Sequence, residues 1–227
     1  MSRVAAVLGE LEALADPAYR DALKPRYGIV APTALGVRVA DMKPLAKRIG
    51  RDHDLAAALW DTDVFEARML TAMLGDPALL TPEQMDRWRG DFDNWAICDT
   101  LCFDLFDKSP HAFAKINQWA GLNDEFGRRA AFALLASVAL HAKKLPDAPF
   151  LERLALIEAA ASDSRNFVKK GVNWALRAVG RRSVALNRAA IALAERLAAS
   201  KVASERWVGK DALKALTDPK LQAKLGR

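Results

Sequence analysis

Apolar residues recur along the chain at spacings of three and four, the period of a helix that buries one face. The stretch FDNWAICDTLCFDLF, residues 92–106, shows both the pattern and a departure from it. Phe92, Cys102, Phe103, Leu105 and Phe106 can supply the buried side. Trp95 and Asp99 are left over, one helical turn apart and therefore one above the other on a single face. The period-two alternation of a half-buried strand is almost absent, and Ala, Leu, Arg, Lys and Glu favour helix throughout. A capping residue followed by proline recurs as punctuation, at Asp16-Pro17, Asp76-Pro77, Thr81-Pro82, Ser109-Pro110 and Asp218-Pro219. Segments of about 10–18 residues between such signals predict roughly a dozen helices. Flexible joints are expected at 25–39 and 144–149. No linker or low-complexity tract divides the chain, so 1–227 reads as a single domain.

One frame repeats inside the helices: an aromatic residue, two others, then a basic residue opening an Ala/Leu-rich helix. It occurs at Phe65–Arg68, Phe126–Arg129, Phe167–Lys170 and Trp207–Lys210. The last two intervals approach the roughly 40-residue period of HEAT-like and armadillo arrays. Phe92–Trp95 is the same frame with Trp in the basic slot. Aligned on the aromatic residue, one slot holds Arg68, Trp95, Arg129, Lys170 and Lys210. The slot one turn further holds Ala72, Asp99, Ala133, Trp174 and Lys214. The expected fold is an all-α, C-shaped solenoid of stacked antiparallel helix pairs whose concave surface carries these slots. Trp60, Trp88 and Trp119 lie outside the register and read as core. The register shared by Trp95, Asp99, Arg129 and Trp174 points to a ligand site.

With 52% hydrophobic residues the chain can bury a large core. Its longest apolar runs, such as AAFALLASVAL at 130–140, fall short of the roughly 18 residues of a membrane span. The opening MSRVAAVLGELEALADP carries acidic residues where a signal peptide has its apolar stretch. A cytoplasmic, membrane-free monomer is the expectation. Cys98 and Cys102 sit on one candidate helix, where a disulfide would be strained, and His53, His111 and His141 have no metal-ligand spacing. Two buried thiols, no metal and no cofactor are expected. The net charge is +6, from 34 Lys+Arg against 28 Asp+Glu, which alone says little about partners. Its distribution says more, because Arg165, Lys169, Lys170, Arg177, Arg181, Arg182 and Arg188 crowd onto successive helices.

Several segments, in order, resemble the HEAT-like-repeat DNA alkylation repair glycosylases, the AlkD family. They are ALGVRVADMKPLAKRI (34–49), FEARMLTAML (65–74), NWAICD (94–99), FGRRAAFALLA (126–136), DSRNFVKKGVNWALRAVGRR (163–182) and RWVGKDALKAL (206–216). The resemblance places the family's Trp/Asp pair on Trp95 and Asp99 and its second Trp on Trp174. Its Arg falls on Arg129, with Arg128 the alternative. Ala96, Ile97 and Cys98 replace the family's polar or aromatic neighbours, the mark of a divergent branch. The resemblance implies a monofunctional glycosylase that hydrolyses the N-glycosidic bond of cationic N3- or N7-alkylated purines in double-stranded DNA. Asp99 would stabilise the oxocarbenium-like sugar, and Trp95 and Trp174 would flank it. Arg129, Arg128, Lys170, Lys169, Arg68 and Lys210 would follow the phosphates. Two other classes fit a basic helical array: a DNA-binding HEAT-repeat protein without catalysis, and a helical scaffold for another protein.

Overall fold

The computed structural model describes residues 2–226 of the chain, and among them there is no strand. They gather into two compact units, Met1–Pro110 and His111–Arg227. The first holds α1 (Arg3–Ala13), α2 (Pro17–Tyr27), α3 (Val39–Ile49), α4 (His53–Trp60), α5 (Phe65–Leu74), α6 (Pro82–Gly90), α7 (Trp95–Asp104) and a 3-10 turn at Phe106–Lys108. The second holds α8 (Ala112–Trp119), α9 (Glu125–His141), α10 (Ala148–Glu152), α11 (Leu154–Ala160), α12 (Asn166–Val179), α13 (Val184–Ala198), α14 (Ala203–Leu216) and α15 (Pro219–Leu225).

Short connections turn consecutive helices back on each other, so that α4 packs on α5, α8 on α9, α11 on α12 and α13 on α14. One helix of each pair then meets its counterpart in the next: α5 touches α3 and α7, and α12 touches α9 and α14. This is the stacked-pair arrangement expected of a HEAT-like array. Composition explains the closeness of the stack. Ala130, Ala131, Ala133 and Ala136 of α9 are fully buried, and small side chains let α12 approach the α9 backbone. Between α13 and α14 the approach is closer still. A Cβ on Gly209 would lie 2.3 Å from the Ala198 nitrogen and 2.5 Å from the Ala194 oxygen.

The core of the first unit is aromatic. Trp60 stacks on Trp88 with ring centroids 5.3 Å apart, Trp88 lies over Phe106 at 6.4 Å, and Phe92 meets Trp60 edge-on at 6.2 Å. Trp60, Trp88 and Trp119 are at most 1% exposed, as their sequence positions predicted.

The proline punctuation is borne out at three of its five places. Asp16, Thr81 and Asp218 cap α2, α6 and α15, and proline occupies the first turn of each. Asp76-Pro77 does not open a helix. The Asp76 carboxylate instead accepts from the Ala78 N–H at 3.0 Å, closing a turn. Ser109-Pro110 also precedes a turn, and α8 begins only at Ala112.

At the expected joints only 28–38 and 142–147 are irregular, since 25–27, 39 and 148–149 belong to α2, α3 and α10, and both irregular stretches are anchored rather than loose. The fully buried carboxylate of Glu66, on α5, accepts the backbone N–H groups of Leu35, Gly36 and Val37 at 2.7–3.1 Å. Gly36 has φ +91°, and a Cβ there would fall 2.1 Å from the Asp16 carbonyl, so only glycine fits. The other joint is held by Arg182, which donates to the carbonyls of Ala139, Ala142 and Leu145 at the end of α9.

Glu66→Ala should therefore cost at least about 3 kcal/mol, because each abandoned buried N–H costs roughly 1–3 kcal/mol. Urea unfolding followed by circular dichroism measures it; a loss below about 1 kcal/mol would show that the loop does not depend on this carboxylate.

Candidate functional site

The start of α7 is built to present one face. Asn94 is 2% exposed, and its Oδ1 accepts the N–H groups of Ala96 and Ile97 at 3.0 and 3.1 Å, closing the helix end. Trp95 is then the first helical residue, and Asp99 follows one turn later. Both are half-buried, while Ile97, Cys98, Leu101 and Cys102 fill the core beneath. The Trp95 Nε1–H donates to the Tyr27 carbonyl at the end of α2, 3.0 Å away, which fixes the edge of the indole. Ala96, Ile97 and Cys98 are all buried, at 7%, 2% and 0% exposure. The three residues between Trp95 and Asp99 thus pack beneath the face that carries the pair.

Trp174 lies in the middle of α12 and is likewise half-buried. It belongs to the second unit, as does Arg129, whereas Trp95 and Asp99 belong to the first. The tryptophans thus divide as the register proposed. Trp60, Trp88 and Trp119 are sealed in the core, and Trp95 and Trp174 are not.

The cations of the register divide too, along a line the sequence did not show. Arg68 is only 13% exposed at its side chain. It pairs with Asp63 at 2.8 Å and with Asp91 at 3.8 Å, and its guanidinium lies 5.0 Å from the Trp60 ring. Its Nε also reaches the Trp60 carbonyl, at the end of α4. Arg128 repeats the arrangement, with Nε on the carbonyl of Ala120 at the end of α8 and Nη1 on Asp163 at 3.1 Å. Arg206 does the same for the end of α13, donating to Ser200 and Lys201. Arg129 is 6% exposed and donates to the Phe167 carbonyl at 2.7 Å, tying α9 to the start of α12. The expected phosphate grip at Arg129, Arg128 and Arg68 therefore meets guanidinium groups already engaged within the fold. Lysines differ. Lys170 and Lys210 are exposed, as is Lys214 one turn beyond. Among the described residues none of the three takes part in a salt bridge. Lys169 sits 4.9 Å over the ring of Trp207.

The turn between α11 and α12 holds a cluster of paired charges. Asp163 receives Arg165 through two bonds, at 3.0 and 2.6 Å. The Arg165 side chain, then its backbone N–H, then the charge of Arg128 hold this carboxyl below its ordinary value against the opposing effect of burial. Among the described residues no group of three His, Cys, Asp or Glu could hold a metal ion, and Cys98 and Cys102 are buried free thiols. No helix among them is long and apolar enough to cross a membrane.

The family model described as "DNA alkylation repair enzyme" matches residues 7–216. The chain belongs to that family. Its fold is that of the HEAT-like repeat DNA glycosylases. A solved structure described as "a new family of proteins related to the HEAT-like repeat DNA glycosylases with affinity for branched DNA structures" superposes with a TM-score of 0.81 at 20% identity. The match covers 99% of this chain and 97% of that one. No curated protein matches the chain. Within this alkylation-repair fold, sequence reasoning missed the Tyr27 carbonyl under Trp95, because a main-chain acceptor leaves no residue signature. It also missed the Lys169–Trp207 pair, although each residue stood in a quoted frame.

The division of cations gives a direct check. Arg68→Ala and Arg128→Ala should each lower stability by about 1–3 kcal/mol, since each strips a donor from a carbonyl at a buried helix end, Trp60 and Ala120 respectively, and Lys170→Ala and Lys210→Ala should leave it within about 0.5 kcal/mol. Equal melting temperatures for all four would refute the division.

The carboxyl of Asp163 yields a pH dependence. A depressed folded-state value adds stability above the unfolded carboxyl value, about 3.9, which is lost as pH falls through the folded value. The melting-temperature gap between the native chain and Asp163→Asn should stay level from about pH 8 to 5 and narrow below about pH 4. A gap that narrows already near neutral pH would place the dependence elsewhere.

Proposed function

We propose that the protein is a DNA glycosylase that releases cationic N3- or N7-alkylated purines from duplex DNA by simple hydrolysis. The observation that carries this reading is the Trp95–Asp99 pair: a half-buried indole fixed at its edge, one turn from a half-buried aspartate on a helix with a filled core beneath. A solvated helix face needs no such pair, and a core tryptophan would be sealed like Trp60.

Alkylation at N3 or N7 leaves a positive charge on the purine, so the base departs neutral and the deoxyribose takes up the charge as an oxocarbenium ion. A carboxylate held beside the sugar stabilises that ion and orients the attacking water. Asp99 is assigned this role. Trp95 and Trp174 offer π-faces that attract the cationic nucleotide. No lysine neighbours Asp99 on the exposed turn of α7, which fits water rather than an amine as the nucleophile and leaves the strand uncut. The phosphates fall to the exposed lysines 170 and 210, with Lys169 beside them, and the arginines of the register support the helices that carry them.

A second reading has its own support: binding to DNA without bond cleavage. The structural neighbour is described by its affinity for branched DNA, and the solvated lysines suit any DNA backbone.

Asp99→Asn decides between them, because it keeps the shape and removes the charge. Release of 3-methyladenine and 7-methylguanine from methylated duplex should fall by about 10²–10³. Duplex affinity should hold or tighten slightly. No release by the native protein, with salt-sensitive duplex binding intact, would establish the second reading. Trp95→Phe keeps a ring but loses the bond to Tyr27, and should slow release by less than Asp99→Asn does.

A further inference from the structure

The last copy of the aromatic–basic frame behaves unlike the others. Phe65 and Phe92 are buried, and Phe126 packs against Phe167 with centroids 5.2 Å apart. Trp207, the corresponding residue of α14, is 39% exposed. A repeat face turned to solvent ordinarily carries polar side chains. Here it meets solvent with an indole.

The surroundings of that indole are basic. Along α14 the exposed positions after Ala203 are Trp207, Lys210 and Lys214, at the spacing of one helical face. From α12, Lys169 reaches across to lie 4.9 Å over the ring, and Lys170 is exposed beside it in sequence. The acidic residues of α14 do not cancel this charge. Asp211 is engaged by Asn173 at 2.6 Å and Arg177 at 3.7 Å, and Glu205 is half-buried. An aromatic face among lysines is the combination that binds single-stranded nucleic acid: cations follow the phosphates and a base stacks on the ring. A paired base inside a duplex cannot offer its face in this way.

We infer that Trp207 is a stacking platform for an unpaired base, with Lys169, Lys170 and Lys210 on the adjoining phosphates. The substrate class is then DNA in which a single-stranded segment adjoins a duplex. This rests on the DNA-binding part of the proposed function and is independent of Asp99. With Lys169 in place Trp207 keeps its 39% exposure, which leaves indole surface for the base.

The test uses the full chain and three fluorescent probes of one duplex sequence: blunt, with a short thymidine tail, and with an abasic tail of equal length and charge. The native protein should bind the thymidine-tailed probe about tenfold more tightly than the abasic-tailed one, the scale of one stacked base. Trp207→Ala should erase that preference and leave blunt-duplex affinity unchanged, and Trp207→Phe should restore most of it. Blunt-duplex binding with no preference for the thymidine tail overturns the platform and spares the DNA reading. Equal loss on all three probes in Trp207→Ala overturns it as well, since phosphate contact or folding would then account for the residue. No binding to any probe removes both readings together. Base release from methylated duplex, run on the same variants, reports separately on Asp99.

Discussion

A stack of helices must dispose of the carbonyl groups that each helix leaves unpaired at its C-terminal end. In this protein arginine does so. Arg68 reaches the last carbonyl of α4, Arg128 that of α8 and Arg206 those beyond α13, each from the opening turns of the following helix. A guanidinium suits the task because it carries several donors in a planar fork and is more weakly hydrated than an ammonium. Each bond closes the turn of a helix pair, so the angle at which the next helix leaves depends on it. The side chains displayed by α5, α9 and α14 depend on it in turn.

This constraint sorts the positive charge. Arg68, Arg128 and Arg129 work between helices, largely out of solvent, while Lys170, Lys210 and Lys214 stand in it. The formal excess of +6 therefore understates the contrast between interior and surface. The free ammonium groups share α12 and α14 with the two half-covered or exposed indoles of the second unit, Trp174 and Trp207. In the first unit Arg68 is turned towards Asp63 and Asp91, and Trp95 and Asp99 are half-buried on one face of α7.

The face carrying the candidate site was legible because helical periodicity is a local property. Trp95 and Asp99 must share a face once the segment is helical, and Asn94 makes the helix start there. The sealed tryptophans were equally legible, since Trp60, Trp88 and Trp119 fell outside the register and the cores beneath the helices needed filling. The roles of the basic residues were not. Arg128 and Arg129 stand side by side in FGRRAA, yet one pairs with Asp163 and the other donates to Phe167. Both partners come from more than thirty residues away, beyond any local pattern.

The sequence by itself determined the helices, their pairing and the positions that repeat, because propensity, capping and a period of about 40 residues act over short distances. It also determined which family the chain resembles, since the quoted segments carry that signal in their order. Only the tertiary structure decided which cations are spent inside the stack and which are left outside. A guanidinium and an ammonium look alike in a charge pattern, and they part only when a neighbouring helix end, supplied by a distant segment, offers carbonyls within reach. The exposure of Trp207 is the same kind of fact: the frame that buries Phe65 and Phe92 leaves this indole open, and only the packing of the helices shows it.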